Sequence, residues 1–414
     1  MKRFFAFLLA AVIFTVMLAG CGREPVEVID AEAAGFDPEL FSDYDYSKFK
    51  DDGITLNVAN WGEYMSINEP DMLDVNKAFE AMTGIKVNYK TYASNETLYS
   101  KINSGGASYD IVIPSDYMLS KMISEGLLQK LDYDNIPNFK HIDSKFLNPQ
   151  YDPENEYSVP YLWGMVCIIY NTTMIEDEIT GWDALWNEKY EGNILMFNNP
   201  RDAFGIALTY LGYSQNTENV SELEHAAVLL QEQKEIVQGY VMDEIFDKME
   251  GGSAAIAPYY AGDAIVMMDD NPDLYYCIPE EGTNQFVDAM CIPVTAKNKE
   301  AAEMYINFLC ETEVAYLNCD YTGYSTPHTQ AFELLDDEVK NNPLSYPSDE
   351  YLINNTEVFI NLSPETNDLT QTLWNQLKIG QSNPWFVPLF LIALIVATVV
   401  VNVVRARLKK RDAF

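Results

Sequence analysis

Residues 54–126 read ITLNVANWGEYMSINEPDMLDVNKAFEAMTGIKVNYKTYASNETLYSKINSGGASYDIVIPSDYMLSKMISEG, and their hydrophobic periods set the fold class. Ile54, Leu56 and Val58 alternate as in a strand. Met72, Val75, Phe79 and Met82 then recur at helical spacing and stop at Gly84, a residue suited to the left-handed turn that ends a helix. Ile85, Val87 and Tyr89 alternate again, and Leu98 and Ile102 mark a second helix. Residues 109–113 make a third strand, broken by Pro114, before a helix that carries Leu119, Met122 and Ile123 and stops at Gly126. This βαβαβα order predicts a largely parallel sheet wrapped by helices, because a parallel pair needs a crossover long enough to hold a helix.

The rhythm returns downstream. A strand at 193–197 precedes a helix opening at Pro200, a strand falls at 254–257, and an apolar strand at 286–294 precedes a helix with Met304, Tyr305 and Phe308. Two α/β lobes fit this count. Ligands of such sheets bind beyond the carboxyl ends of the strands, which directs attention to 61–64, 115–117, 199–202 and 259–263. These loops and the last strand supply the aromatics Trp61, Tyr64, Tyr117, Tyr259, Tyr260 and Phe286. They also supply the carboxylates Glu63, Asp116, Asp202, Asp263 and Asp288, and few cations. Such a set suits an elongated organic cation, with carboxylates on its ammonium ends and aromatic faces along its methylenes. About 0.8 kcal/mol per buried methylene and up to about 2 kcal/mol per desolvated cation–π contact bring a four-carbon diamine to roughly micromolar affinity.

Each residue also has a plainer use. Asn199 before Pro200 is a good N-cap, Asp202 then complements the helix dipole, and Ser115 and Asp116 are placed to cap the next helix. Trp61, Tyr64 and Phe286 taken singly are ordinary packed aromatics. Asp288 inside an apolar strand is the least easily dismissed, because a buried carboxylate needs a partner.

The 414 residues carry 26 Lys+Arg against 63 Asp+Glu, a formal charge of -37, which argues against nucleic-acid binding. With 48% hydrophobic residues the chain is too apolar to be disordered, and its length suits two or three domains. The charge is uneven: residues 22–383 hold 19 basic and 62 acidic side chains, and the two ends hold seven basic and one acidic. Residues 1–21 read as a secretory signal, with Lys2 and Arg3, an apolar run, and a small-residue turn before Cys21 that matches a lipidation site. Residues 22–53 are acidic, interrupted by Pro25, Gly35 and Pro38, and read as a tether. Residues 385–404 are uncharged and long enough to span the ~30 Å hydrocarbon layer. Arg405, Arg407, Lys409, Lys410 and Arg411 follow, which places a tail at 405–414 in the cytoplasm and the acidic middle outside. The five cysteines beyond Cys21 are an odd number, so no complete disulfide framework is expected. No nucleophile elbow, P-loop, zinc motif or dinucleotide fingerprint occurs, so neither catalysis, a metal nor a cofactor is expected.

Several separate motifs in one order carry a family resemblance: NWGEY at 60–64, TYASNETLYSKI at 91–102, YDIVIPSDYM at 109–118, YSVPYLWG at 157–164, ALWNEKYEGNIL at 184–195, LGYSQNT at 211–217, VDAMCIPVTAKNKEAAEMYINFL at 287–309 and YTGYSTP at 321–327. From about residue 54 to 378 the chain resembles the spermidine/putrescine-binding proteins of bacterial ABC importers. The resemblance implies an α/β, two-lobed periplasmic-binding-protein clamp with mainly parallel sheets, lobe one at 54–163 and 287–332 and lobe two at 164–286 and 333–380. It implies an extracytoplasmic protein that holds a polyamine between the lobes and presents it to a permease with its ATPase.

Position by position, Trp61 and Tyr64 look like the aromatic wall of lobe one, and Ser115 and Tyr117 like its hydroxyl-bearing partners. Asn199 and Asp202 stand where the family usually has two acidic residues. Asp288 matches the carboxylate that receives an amine, and Gln376 matches a terminal glutamine. Phe286 and Tyr260 stand for tryptophans, with Tyr259 one place from the latter. The loss of one carboxylate at Asn199 and the shorter Asp202 leave the preferred polyamine open. Three other readings compete: a ferric-ion-binding clamp using Tyr259 and Tyr260, a carboxylate-dependent hydrolase, and a sensor that signals through its C-terminal helix.

Overall fold

The computed structural model describes residues 26–67 and 72–379. The signal at 1–21 with Cys21, the span at 385–404 and the tail at 405–414 lie outside the described residues. Among the described residues, no helix is long and apolar enough to cross a membrane.

Ten strands are present among them: β1 (Thr55–Trp61), β2 (Lys86–Tyr92), β3 (Ile111–Val112), β4 (Ser158–Asn171), β5 (Ile194–Phe197), β6 (Val237–Val241), β7 (Ile256–Tyr260), β8 (Leu274–Cys277), β9 (Thr283–Cys291) and β10 (Thr356–Val358). They follow one curled path in the order 2-1-3-9-4-7-5-6, with β10 on β9 and β8 on β4. The fold is mixed α/β. The outer pairings β1–β2, β1–β3, β5–β6 and β5–β7 are parallel, as the strand-helix rhythm requires. The expectation of mainly parallel sheets is corrected at the centre, where β4 pairs antiparallel with β7, β8 and β9. The cause is the path of the chain. β4 carries it from one half of the sheet to the other and β9 carries it back, so the two lie side by side in opposite directions.

The crossing divides β4 itself. Residues 158–165 pair with β9, and 166–171 pair with β7 and β8. Two apolar cores stand on either side. One gathers Leu56, Val58, Phe79, Leu119, Trp163, Met290 and Phe308, and the other gathers Ile168, Phe197, Phe204, Leu230, Ile256 and Trp374. The helices that matter to the site are α1 (Val75–Thr83), α2 (Asn95–Asn103), α3 (Asp116–Ser124), α4 (Pro200–Tyr210), α5 (Val220–Gln233), α6 (Ala261–Asp270), α7 (Lys299–Leu309) and α8 (Pro364–Ile379). α1 shows how locally they are specified. Asp74 accepts a hydrogen bond from the Lys77 N–H at its start, Val75, Ala78, Phe79 and Met82 form its buried face, and Gly84 closes it at φ +72°.

Residues 26–53 are no tether. Phe36 and Tyr46 are buried, and Phe36, Phe41 and Tyr46 meet the Phe308 ring of α7 at 5.9, 6.1 and 5.8 Å. The buried Glu311 carboxylate accepts from the Ser42 N–H at 2.8 Å, the Ser42 hydroxyl at 2.5 Å and the Tyr46 hydroxyl at 2.7 Å. The aromatics supply the apolar area that the acidic composition concealed. Glu311→Ala strands these donors and is expected to cost about 3 kcal/mol. Thermal unfolding and limited proteolysis check this: a lower Tm and early cleavage within residues 37–47 are expected, and an unchanged Tm with a protected segment contradicts it.

Candidate ligand-binding cleft

The two halves face each other across a narrow cavity of about 50 Å³. Its walls grow from strand ends. β1 delivers Trp61, Gly62 and Tyr64, the turn after β3 delivers Ser115, Asp116 and Tyr117, the start of α4 delivers Asn199 and Asp202, and the end of β7 delivers Tyr259, Tyr260 and Asp263. β9 contributes by its period of two: Asn284, Phe286 and Asp288 line this cavity, and Gln285 and Val287 line a separate one behind the strand. Tyr324 and Phe359, from later passages of the chain, complete the lining.

The aromatics of the lining are packed ring against ring. The Trp61 ring leans on Tyr92 at 4.8 Å and its indole N–H donates to the Ile113 carbonyl at 2.9 Å. Tyr260 meets Phe286 edge-on at 5.4 Å, and Tyr324 meets Tyr64 edge-on at 4.7 Å. Tyr259 is packed on Phe197 at 5.3 Å.

Five carboxylates, Asp116, Asp202, Asp243, Asp263 and Asp288, lie in the lining, with no Lys or Arg among the lining residues. Asp288 accepts from the Tyr64 hydroxyl at 2.7 Å through Oδ2, and its buried Oδ1 has no hydrogen-bond partner. Burial pushes its carboxyl up to about 6, against the pull of the Ser115 and Tyr64 hydroxyls. Asp202 accepts from the Tyr260 hydroxyl at 2.9 Å, and burial raises it to about 7. Asp116 is fully buried, accepts from the Tyr117 N–H at 2.6 Å and the Val287 N–H at 3.1 Å, and is raised by burial to about 8. Burial also lifts Asp263, despite its bond to Tyr324. At neutral pH Asp202 and Asp116 therefore hold much of their protons until a cation arrives, whereas Asp288 is already mostly ionised.

The halves touch at glycines. A Cβ on Gly62 would stand 2.7 Å from Asp243 Oδ2, and one on Gly262 would stand 2.2 Å from the Tyr324 ring.

Of the residues expected from sequence, Trp61, Tyr64, Ser115, Tyr117, Asn199, Asp202, Tyr260, Phe286 and Asp288 meet at this cavity. Asn199 serves both uses, since its Oδ1 caps α4 through the Arg201 N–H at 2.9 Å while the residue lines the cavity. The Ser115 side chain makes no capping bond; its hydroxyl accepts from Asn95 at 3.1 Å. Gln376 is elsewhere. It is exposed on α8 beside a surface groove formed with α5, because Trp374 and Leu377 turn the apolar face of α8 inward. Asn95, Asp243, Asn284, Tyr324 and Phe359 were not singled out from sequence. Asn284 was within reach, two places before Phe286 on the same strand face, and Tyr324 lay inside the quoted YTGYSTP. All five cysteines in the described residues are buried and unpaired.

Comparison with known proteins places this geometry among relatives. Residues 75–347 match the model of a family described as bacterial extracellular solute-binding protein. The spermidine/putrescine-binding periplasmic protein of Escherichia coli (strain K12) is 37% identical over 306 residues, 73% of this chain and 86% of its own length. The putrescine-binding periplasmic protein SpuD of Pseudomonas aeruginosa is 30% identical, over 80% of this chain and 93% of its own length. Among solved structures, the substrate-binding protein PotD of a spermidine/putrescine ABC transporter from Streptococcus pneumoniae superposes with a TM-score of 0.66 at 37% identity. The match covers 79% of this chain and 99% of that one.

Proposed function

Since the chain belongs to the family of bacterial extracellular solute-binding proteins, we propose that it captures a polyamine of the putrescine or spermidine type between its two lobes and delivers it to the permease of an ABC importer. One observation carries the reading: five carboxylates and a frame of aromatic rings line a cavity with no Lys or Arg in its lining. Asp288 with Tyr64 receives one ammonium, Asp202 with Tyr260 receives another, and Trp61, Tyr260 and Phe286 cover the methylenes between them. The ligand enters when the lobes part, and they reclose around it.

The lobes divide at 54–163 with 287–332 and at 164–286 with 333–380, a division supported by the two separate cores. The ends belong to the membrane in this reading, with Cys21 lipidated, 385–404 spanning the bilayer and 405–414 in the cytoplasm; the charge distribution supports it. The family is one of transport components and not of enzymes. The ferric-ion reading finds no support. Tyr260 gives its hydroxyl to Asp202, and no group of three or more His, Cys, Asp or Glu able to hold a metal occurs among the described residues.

Titration calorimetry against pH tests the proposal. An ammonium favours the ionised carboxylate, so binding tightens as pH rises through about 6, 7 and 8, the values of Asp288, Asp202 and Asp116. Binding at pH 7 should release protons, seen as a dependence of the heat on buffer ionisation enthalpy. Stability of the ligand-free protein runs the other way. Folded values raised above the unfolded ~3.9 contribute stability that is present below pH ~4 and lost as pH rises through about 8. Affinity that is flat from pH 5 to 8, with no proton release, contradicts the assignment of these carboxylates.

A further inference from the structure

A buried cation stands just behind the cavity. Arg201, the second residue of α4, is 8% exposed and, among the described residues, forms no ion pair with a carboxylate within 4 Å. Its guanidinium donates to the Gln215 carbonyl at 2.8 Å, to Asn216 Oδ1 at 2.7 Å and to the Ile360 carbonyl at 3.4 Å, and Nε is unpartnered. The carbon of the fork lies 4.1 Å from the centre of the Phe359 ring and 5.9 Å from that of Tyr117, and both rings line the cavity. Neutral acceptors therefore fix the position of the charge, and the carboxylates do not quench it by direct contact. A cation at the first turn of a helix also opposes the dipole there. An arginine in so costly a place, against a pocket lined with acids, sets a charge level.

It stands beside one part of the lining, next to Asp202 in α4 and against the Tyr117 and Phe359 rings. Asp116, Asp202 and Glu96 interact electrostatically with Arg201, and Glu96 leaves a buried Oε2 without a partner after accepting from the Tyr117 hydroxyl at 2.9 Å. Asp288 and Asp263 are acted on chiefly by burial and by nearby hydroxyls. At the pole formed by Asp202, Asp116 and Glu96, a fixed positive charge already occupies part of what a ligand would bring. We infer that Arg201 is a specificity-determining residue, an internal cation that makes the site favour a diamine with two charges over a triamine with three. The inference rests on the polyamine reading of the cleft and specifies its substrate.

The test compares the ratio of putrescine to spermidine Kd in wild type, Arg201→Met and Arg201→Lys by calorimetry, with thermal unfolding as a check on the fold. Arg201→Met should move the ratio toward spermidine by about ten-fold. That is the order of the effect of one unit charge on another across roughly 10 Å at an effective dielectric of about 20. Arg201→Lys should keep the wild-type ratio near pH 6. At higher pH the buried lysine gives up its proton and the ratio should move toward spermidine, more than in wild type. If Arg201→Met does not fold, the pH series on Arg201→Lys decides alone. An unchanged ratio in Arg201→Met, an equal shift in both variants at pH 6, or a Lys variant that tracks wild type at every pH overturns the inference. Failure of wild type to bind either polyamine would instead overturn the proposed function itself.

Discussion

Asp288→Asn should weaken polyamine binding by about 100-fold or more while leaving the ligand-free protein at least as stable as wild type. The two signs come from one arrangement. The carboxylate is buried, accepts from the Tyr64 hydroxyl through Oδ2 with the Ser115 hydroxyl also acting on it, and its Oδ1 makes no hydrogen bond and is available to an ammonium. An amide of the same shape still accepts from Tyr64 but carries no charge, and breaking a buried charge pair costs roughly 2–5 kcal/mol of binding. Without ligand the wild-type protein bears the cost of a buried acid, which is why its carboxyl is pushed up to about 6. Calorimetry and thermal unfolding of the variant read both effects. Binding within three-fold of wild type would show that the ligand's charge is met elsewhere.

Gly262→Ala is expected to remove closure and leave each lobe intact. Gly262 opens α6 on one side of the cleft, and a Cβ there would stand 2.2, 2.5 and 2.6 Å from three atoms of the Tyr324 ring on the other. Those atoms include the root of the ring, so a turn of its tip does not relieve the clash. The backbones are close as well, since a Cβ on Gly323 would meet the Gly262 carbonyl oxygen at 2.7 Å. Within α6 alanine is a better helix former than glycine, so the lobe itself should not suffer. Affinity should fall by about 100-fold with little change in Tm. Small-angle scattering should show no ligand-dependent compaction in the variant, against a clear one in wild type. Wild-type affinity and compaction in the variant would mean that these faces need not meet for the ligand to be held.

Residues with a local physical signature were legible in the sequence. Ile54, Leu56 and Val58 alternate because the chain entering β1 packs one face on the core before both faces are covered at residues 58–60, and Gly84 ends α1 because its φ is positive. The cleft was legible where strands end, at Trp61, Ser115, Asp202 and Tyr260. β4 was missed as a strand because SVPYLWGMVCIIYN is buried along nearly its whole length and shows no alternation to read. Tyr324 and Phe359 reach the site on the later passages of the chain, and no local period announces a residue placed by a crossover. The acidic count of residues 26–53 outweighed its rings, although Phe36, Phe41 and Tyr46 decide where that segment lies. Gln376 followed from an expected position and not from a period; the burial of Trp374 and Leu377 turns it outward.

Native mass spectrometry of the protein purified from cells grown on rich medium tests the capture of a polyamine most directly. A species heavier than the chain by the mass of putrescine or spermidine, lost at acid pH and absent from Asp288→Asn, is the expected result. Only the bare mass, with no adduct after putrescine or spermidine is added at neutral pH, would contradict it.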